Sequence, residues 1–475
     1  MAVKQSGIGI ASVGIVAALL IAFAPVQDSV AFVVAILCGA LGLSVLSFNR
    51  DEHERALLIR LFTIAFVLRV VFTFISYKVK IINLIGGGDQ TLWIQAWNLS
   101  RSWAGWPIQY HGYPIPETLG EVYTGGRNMG YYYWSTWFYY LLNVPSQMAL
   151  SFTSCFINSL TVVVIYKSAR LFFQEKSAIF AAGVAIIFPG FVVWSALTIK
   201  ETWIIFFEIT AFYATWRYAR TRQIKYALLL LAMIVLALSF RFYVTGCLLS
   251  GAVLTIACAH SARPLRTAFL STTGLMAVLV VLTILRLTPF DLSSMAMTRL
   301  EEMTEFRMVV SGAGARAGMA GVRSGVQLDY DITTPSGAAM MIVIGSTYVL
   351  FSPFPWNLFS ARQALALPDV LLWYGLVFAF IAPGLRHAWR HHKHLLISVA
   401  AFTLPLLLLY SMTFGNVGLA YRQRAQLMPF ILMLAAAGYE SRLHRLRAPL
   451  AKSRLNALRQ RLQRRPASGS LLSRS

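Results

Sequence analysis

Acidic residues are scarce in this sequence: 18 Asp and Glu stand against 41 Lys and Arg, a formal net charge of +23. Charge of either sign makes up only 12% of the 475 residues, whereas 57% are hydrophobic. A chain of this length could hold three soluble domains, but one so poor in charge cannot cover them with polar surface, and lipid must be part of its solvent. Cysteine is rare too. Cys38, Cys155, Cys247 and Cys258 all fall inside apolar runs and form no Cys-x-x-Cys pair, which excludes a disulfide framework and a structural zinc site. There is no P-loop, no Gly-rich nucleotide fingerprint and no internal repeat, so ATP-driven transport has no motif to rest on.

What the sequence has in abundance is apolar runs long enough to cross about 30 Å of hydrocarbon as helices that satisfy their own backbone. They fall at about 7–24, 29–47, 57–77, 150–170, 178–196, 203–217, 226–240, 243–260, 267–286, 368–384, 396–411 and 425–440, about twelve in all. The pattern predicts an all-α integral membrane protein, a polytopic helical bundle. Residues 1–440 form the transmembrane module and 441–475 a basic tail. The first run, from Lys4 to Ala24, reads as a retained helix rather than a cleaved signal, because a second run follows at once and no A-x-A-like site is clear.

The excess of basic residues reports topology, not nucleic acid, since it lies in short clusters between apolar runs rather than on one soluble face. Placing the N-terminus in the cytoplasm puts Arg50, Arg55 and Arg60, Lys167 and Arg170, Arg217 to Lys225, Arg263 and Arg266, Arg386 to Lys393 and the Arg-rich tail on that side. The expected location is a bacterial inner membrane with both termini cytoplasmic. The tail, with Leu interleaved at helical spacing, is either a headgroup-binding or a solvated helix.

Two long extracytoplasmic segments result, about 78–149 and 287–367. The first is rich in Trp and Tyr, from Trp93 to Tyr140, rings that settle at headgroup level, and it predicts helices lying along the membrane face. Whether 131–147 and 337–351 cross or lie on the surface stays open.

With so few acids, each one near the membrane carries information. Asp89 follows Gly86-Gly87-Gly88 and shares a helical face with Trp93 and Trp97; it is a site residue, a helix cap, or both. Lys200 and Glu201 sit together in a tight loop between two spans, as an interfacial ion pair or as part of a site. Glu208, two turns further on, is expected to pair structurally with Arg69 or Arg241. Arg422 and Arg424 precede the last span, where the choice is between interfacial anchoring and an anionic ligand. His111 is equally a surface residue or a site residue.

The early acid Asp89, the aromatic segment, the span closing in Tyr-Lys-Ser-Ala-Arg-Leu-Phe-Phe (166–173), the stretch from Ile187-Phe-Pro-Gly-Phe and the loop acid Glu201 together resemble the GT-C superfamily of integral-membrane glycosyltransferases. The likeness is to the dolichyl-phosphate-mannose protein mannosyltransferases and their polyprenyl-phosphate relatives, and it covers about 57–220. It implies inverting transfer of a sugar from a polyprenyl-phosphate carrier to a glycan, lipid or protein acceptor in cell-surface glycan biosynthesis. Asp89 would be the general base and Glu201 the organiser of the donor phosphate. No cofactor follows from the residues themselves; the resemblance admits a divalent metal, Mg or Mn, on Asp89 and Glu201, although Gln90 stands where many members carry a second acid. Lys200, Arg127, Arg241, Arg422 and Arg424 are the candidate cations for the departing phosphate. The alternatives are an O-antigen-type polysaccharide polymerase or ligase, and a lipid-linked oligosaccharide transporter.

Overall fold

The apolar runs fold as helices. A computed structural model describes residues 28–82, 91–112, 129–284, 300–308, 325, 326, 328, 330–356 and 366–463. In chain order its principal helices are α1 (Ser29–Ser47), α2 (Glu52–Lys78), α3 (Leu92–Trp103), α4 (Gly130–Leu142), α5 (Gln147–Arg170), α6 (Glu175–Ile187), α7 (Pro189–Ala196), α8 (Glu201–Thr221), α9 (Ile224–Phe240), α10 (Phe242–Cys258), α11 (Pro264–Ile284), α12 (Pro335–Phe351), α13 (Leu367–Leu376), α14 (Ala382–His391), α15 (Lys393–Met412) and α16 (Val417–Gln463). A π-helical stretch, Val377–Ile381, joins α13 to α14. Among the described residues the one β-type pairing is an isolated bridge between Gly325 and Asn416.

Local chemistry sets the helix starts. Asp51 caps α2 by accepting from the backbone N–H groups of His53 and Glu54, and Glu52 and Glu54 in the first turn favour the positive end of the helix dipole. Ser146 caps α5 through the Ala149 N–H, and Thr334 caps α12 through the Gly337 N–H, with Pro335 at the first helical position.

Among the described residues five helices are long and apolar enough to cross a membrane: α1, α2, α5, the continuous segment Leu367–His391 and α15. Counting α6 and α7 together as one broken crossing makes six. α9, α10 and α12 are apolar but only 17 residues each. The chain is thus a multi-pass helical membrane protein. The expected run at 7–24 lies outside the described residues. α5 is the central helix, with 83% of its most apolar window buried, and it packs against α1, α2, α6, α7 and α8. α4, at 13 residues, rises roughly 20 Å, too little to cross, and packs instead against α3.

One expectation changes. The run at 178–196 is not one straight helix: Pro189 divides it into α6 and α7, bent by 50°. Proline has no N–H, so the carbonyl four residues back, on Ala185, loses its helical donor. Buried Arg69 of α2 replaces it, donating to Ala185 O at 3.0 Å and to Asn158 Oδ1 at 2.9 Å. In the apolar interior such an orphan carbonyl would otherwise be costly. The basic tail, expected to be helical, continues the last run without a break, α16 extending to Gln463.

At the opposite crossing, α16 lies close to the segment through α14. A Cβ on Gly384 would stand 1.9 Å from Leu434 O, and one on Gly438 would stand 1.9 Å from Phe380 O. Only glycine at both positions allows this backbone approach, the usual device for tight helix contacts in lipid.

Candidate functional site

Three chain turns meet at one end of the bundle. α8 starts there with Glu201, α9 ends there and α10 begins with Arg241 at the junction, and the first turns of α16 bring Arg422. Arg241 donates to Glu201 Oε1 at 2.7 Å, and Arg422 Nε lies 3.1 Å from the same oxygen. Glu201 is 1% exposed and Arg241 7%, whereas Arg422 keeps 21% of its side chain accessible. The second carboxylate oxygen, Oε2, is buried and has no hydrogen-bond partner. Among the described residues one carboxylate here faces two guanidiniums, with Arg422 as the accessible edge.

Sequence distance hid this arrangement. Lys200 and Glu201 adjoin in sequence, but Arg241 comes from 40 residues away along the chain, and its ring partner Tyr243 lies 5.5 Å from the guanidinium. Arg422 follows a long connection. The signal for Arg241 was a single Arg between two apolar helices, where its backbone breaks the helix with φ −161°.

A second ion pair lies deeper on the same side. Arg424 donates to Asp369 Oδ2 at 2.6 Å with both side chains 1% exposed, and also to the Ser352 carbonyl at 2.9 Å. Asp369 Oδ1 accepts from the Gly190 N–H at 2.7 Å. The pair ties α13, α16, the end of α12 and the start of α7 together just behind the Pro189 break. Asp369 was missed as a functional residue in the sequence, although Leu-Pro-Asp opening an apolar run was a signal.

Glu208 does not pair as expected. Both of its oxygens are buried without hydrogen-bond partners; Arg69 is spent on backbone carbonyls and Asn158, and Arg241 on Glu201. Both guanidiniums are already committed to those acceptors, and neither donates a hydrogen bond to Glu208.

Beside the cluster stands the aromatic layer. Trp203 of α8 lies 5.0 Å from Trp134 of α4, ring to ring, and 6.0 Å from Phe240. Trp137 and Tyr140 of α4 are exposed, and Trp103 of α3 packs on Trp137 at 5.6 Å. Thr202 donates to the Trp194 carbonyl at 3.0 Å, closing the short loop that carries Lys200. The expected residues Asp89 and Arg127 lie outside the described residues. His111 is exposed, in a turn after α3. Among the described residues no group of three or more His, Cys, Asp and Glu side chains converges as a metal site. Two guanidiniums already oppose Glu201, a poor setting for a further dication.

An all-helical multi-pass bundle with a charged cluster and an aromatic layer at one end suits a membrane enzyme acting at headgroup level. Residues 130–286, from α4 through α11 and including Glu201 and Arg241, match the family model described as dolichyl-phosphate-mannose-protein mannosyltransferase. Over that segment the chain is similar to membrane glycosyltransferases of the mannosyltransferase type. No curated protein matches the chain.

Proposed function

We propose that the protein transfers a sugar from a polyprenyl-phosphate carrier to an extracytoplasmic hydroxyl acceptor at a bacterial inner membrane. The observation that carries this reading is Glu201 held between Arg241 and Arg422 inside the family-matched region, at the end of the bundle where the aromatic helices gather.

In the proposed reaction, the acceptor oxygen bonds to the anomeric carbon as the bond from that carbon to the carrier phosphate breaks. The phosphate leaves with the electron pair, and the hydroxyl proton passes to a carboxylate, for which Asp89 is the proposed base. Charge then grows on the phosphate. Arg422, at the accessible edge, is the proposed phosphate contact, and Glu201 fixes its guanidinium, as it does that of Arg241. Lys200 and Arg127 are proposed as supporting cations. Arg424, engaged by Asp369, is a positioning residue for the α7–α16 contact. Were a divalent metal bound, Asp89 and Glu201 are the proposed residues to hold it, and it would supply positive charge to the departing phosphate.

A dozen spans with both termini cytoplasmic remains the proposed topology. The test supplies the purified protein with polyprenyl-phosphate mannose and, separately, with a polyprenyl-diphosphate sugar, and measures the carrier released. Turnover of the monophosphate donor is expected. Turnover of the diphosphate donor alone would move the reading to a polymerase or ligase, and turnover of neither would end it.

A further inference from the structure

At the far end of the bundle, one turn of chain joins two helices that are each long and apolar enough to cross: Leu367–His391 and α15. The junction of two consecutive crossings lies at headgroup level on whichever side of the membrane it faces. Along α16, residues 422 and 444 are separated by roughly 33 Å at 1.5 Å per residue, about one hydrocarbon thickness. The Glu201 cluster and this junction therefore occupy opposite interfaces.

The junction opens into a cavity of about 710 Å3 whose lining includes Arg386, His387, Arg390, His391, His444 and Arg445. The imidazole of His387 lies 4.8 Å from His391, 5.6 Å from His392 and 6.4 Å from His444, ring centre to ring centre. No acidic residue is among those lining it. The nearest carboxylate, Glu440, is drawn off by a hydrogen bond from Ser177 of α6 and lies 3.6 Å from His444 Nε2. Three guanidiniums face one space between crossing helices, together with four imidazoles that each offer an N–H, and no carboxylate among the described residues lines that space. Such a concentration of like charge in a fixed place is unfavourable by itself and favourable around phosphate.

We propose that this cavity is a binding site for an anionic phospholipid whose headgroup carries two phosphates. Arg386 and Arg390 each hold phosphate oxygens, and His387, His391 and His444 donate to the remainder, while the acyl chains lie on the adjoining apolar face, where Leu385 and Trp389 are exposed. Basic pockets between membrane helices take such headgroups, at roughly 1 kcal/mol for each Arg near the surface. The site is separate from the proposed transfer chemistry and stands whether or not that reading does.

The test uses the full-length protein in detergent, titrated with cardiolipin, phosphatidylglycerol and phosphatidylcholine while native mass spectra count bound lipid. Cardiolipin is expected to bind in preference to both others, and the exposed double variant R386A/R390A is expected to bind it about 30-fold more weakly with an unchanged melting temperature. A second pair, H387Q/H391Q, should weaken it as well, so the outcome does not rest on one variant. Equal binding of cardiolipin and phosphatidylcholine, or wild-type affinity in both variants, overturns the proposal. Inorganic pyrophosphate binding in the arginine-dependent way with no lipid preference would assign the cavity to a soluble anion instead, and would equally overturn it.

Discussion

Arg69 donates to the Ala185 carbonyl at 3.0 Å, the acceptor that Pro189 deprives of its helical partner. A proline in one helix and an arginine in another thus form a single unit. The arginine is buried because the break creates carbonyls that need a donor, and the break persists because the donor is there. The bend that results carries Gly190 to Asp369 and, through Asp369, fixes Arg424.

Replacing Arg69 with Met is expected to lower stability by about 3 kcal/mol, since it orphans a buried carbonyl and the Asn158 side chain together. Pro189→Ala supplies an N–H for Ala185, so R69M/P189A should melt above R69M alone. Thermal unfolding in detergent decides; a double variant no more stable than the single would show that the proline and arginine are not coupled.

Asp369→Asn leaves Arg424 charged and half-paired in the interior, and should cost about 3–5 kcal/mol. Removing both charges, as D369L/R424L, should be tolerated better than either single change. Melting curves for wild type, D369L, R424L and D369L/R424L form a double-mutant cycle, and strict additivity would argue against a direct pair.

Glu201→Gln keeps the side-chain shape but leaves two guanidiniums without their counter-charge. Sugar transfer is expected to fall by about 100-fold or more while membrane levels hold. The measurement is transfer per mole of purified protein, and a variant within twofold of wild type removes Glu201 from the site.

Arg422→Ala and Arg241→Ala should separate. Arg422 is 21% exposed and Arg241 7%, so loss of Arg422 is expected to raise the donor KM about tenfold with little change in melting temperature. Loss of Arg241 should lower the melting temperature as well. Equal effects on both readouts would mean that the two arginines share one structural role.

Asp89→Asn is expected to abolish transfer with the protein still accumulating in the membrane, because a general base contributes about 100-fold or more to rate. Unchanged surface glycan in cells carrying that variant would take the base assignment away.

Local features were legible in the sequence. Most apolar runs reappear as helices, because hydrophobic length is a local property, and Asp51 caps its helix by contacts within three residues. The Pro189 break was written there too, yet the run around it was read as one span, because hydropathy alone does not register a missing N–H. The tail after residue 440 was legible as well, since Leu at helical spacing among the arginines marks a helix, and α16 continues through it.

By itself, then, the sequence determined that this is a helical membrane protein and where most of its helices run, since lipid leaves a chain with these apolar lengths no other way to satisfy its backbone. The tertiary structure decided which side chains meet: Glu201 with Arg241 and Arg422, Arg424 with Asp369 rather than at an open edge, Arg69 with Ala185, and Glu208 with none of the expected partners. Those meetings depend on how each helix is rotated about its axis and on which ends adjoin. Both are set by packing summed over many distant residues, and no short stretch of sequence contains that sum.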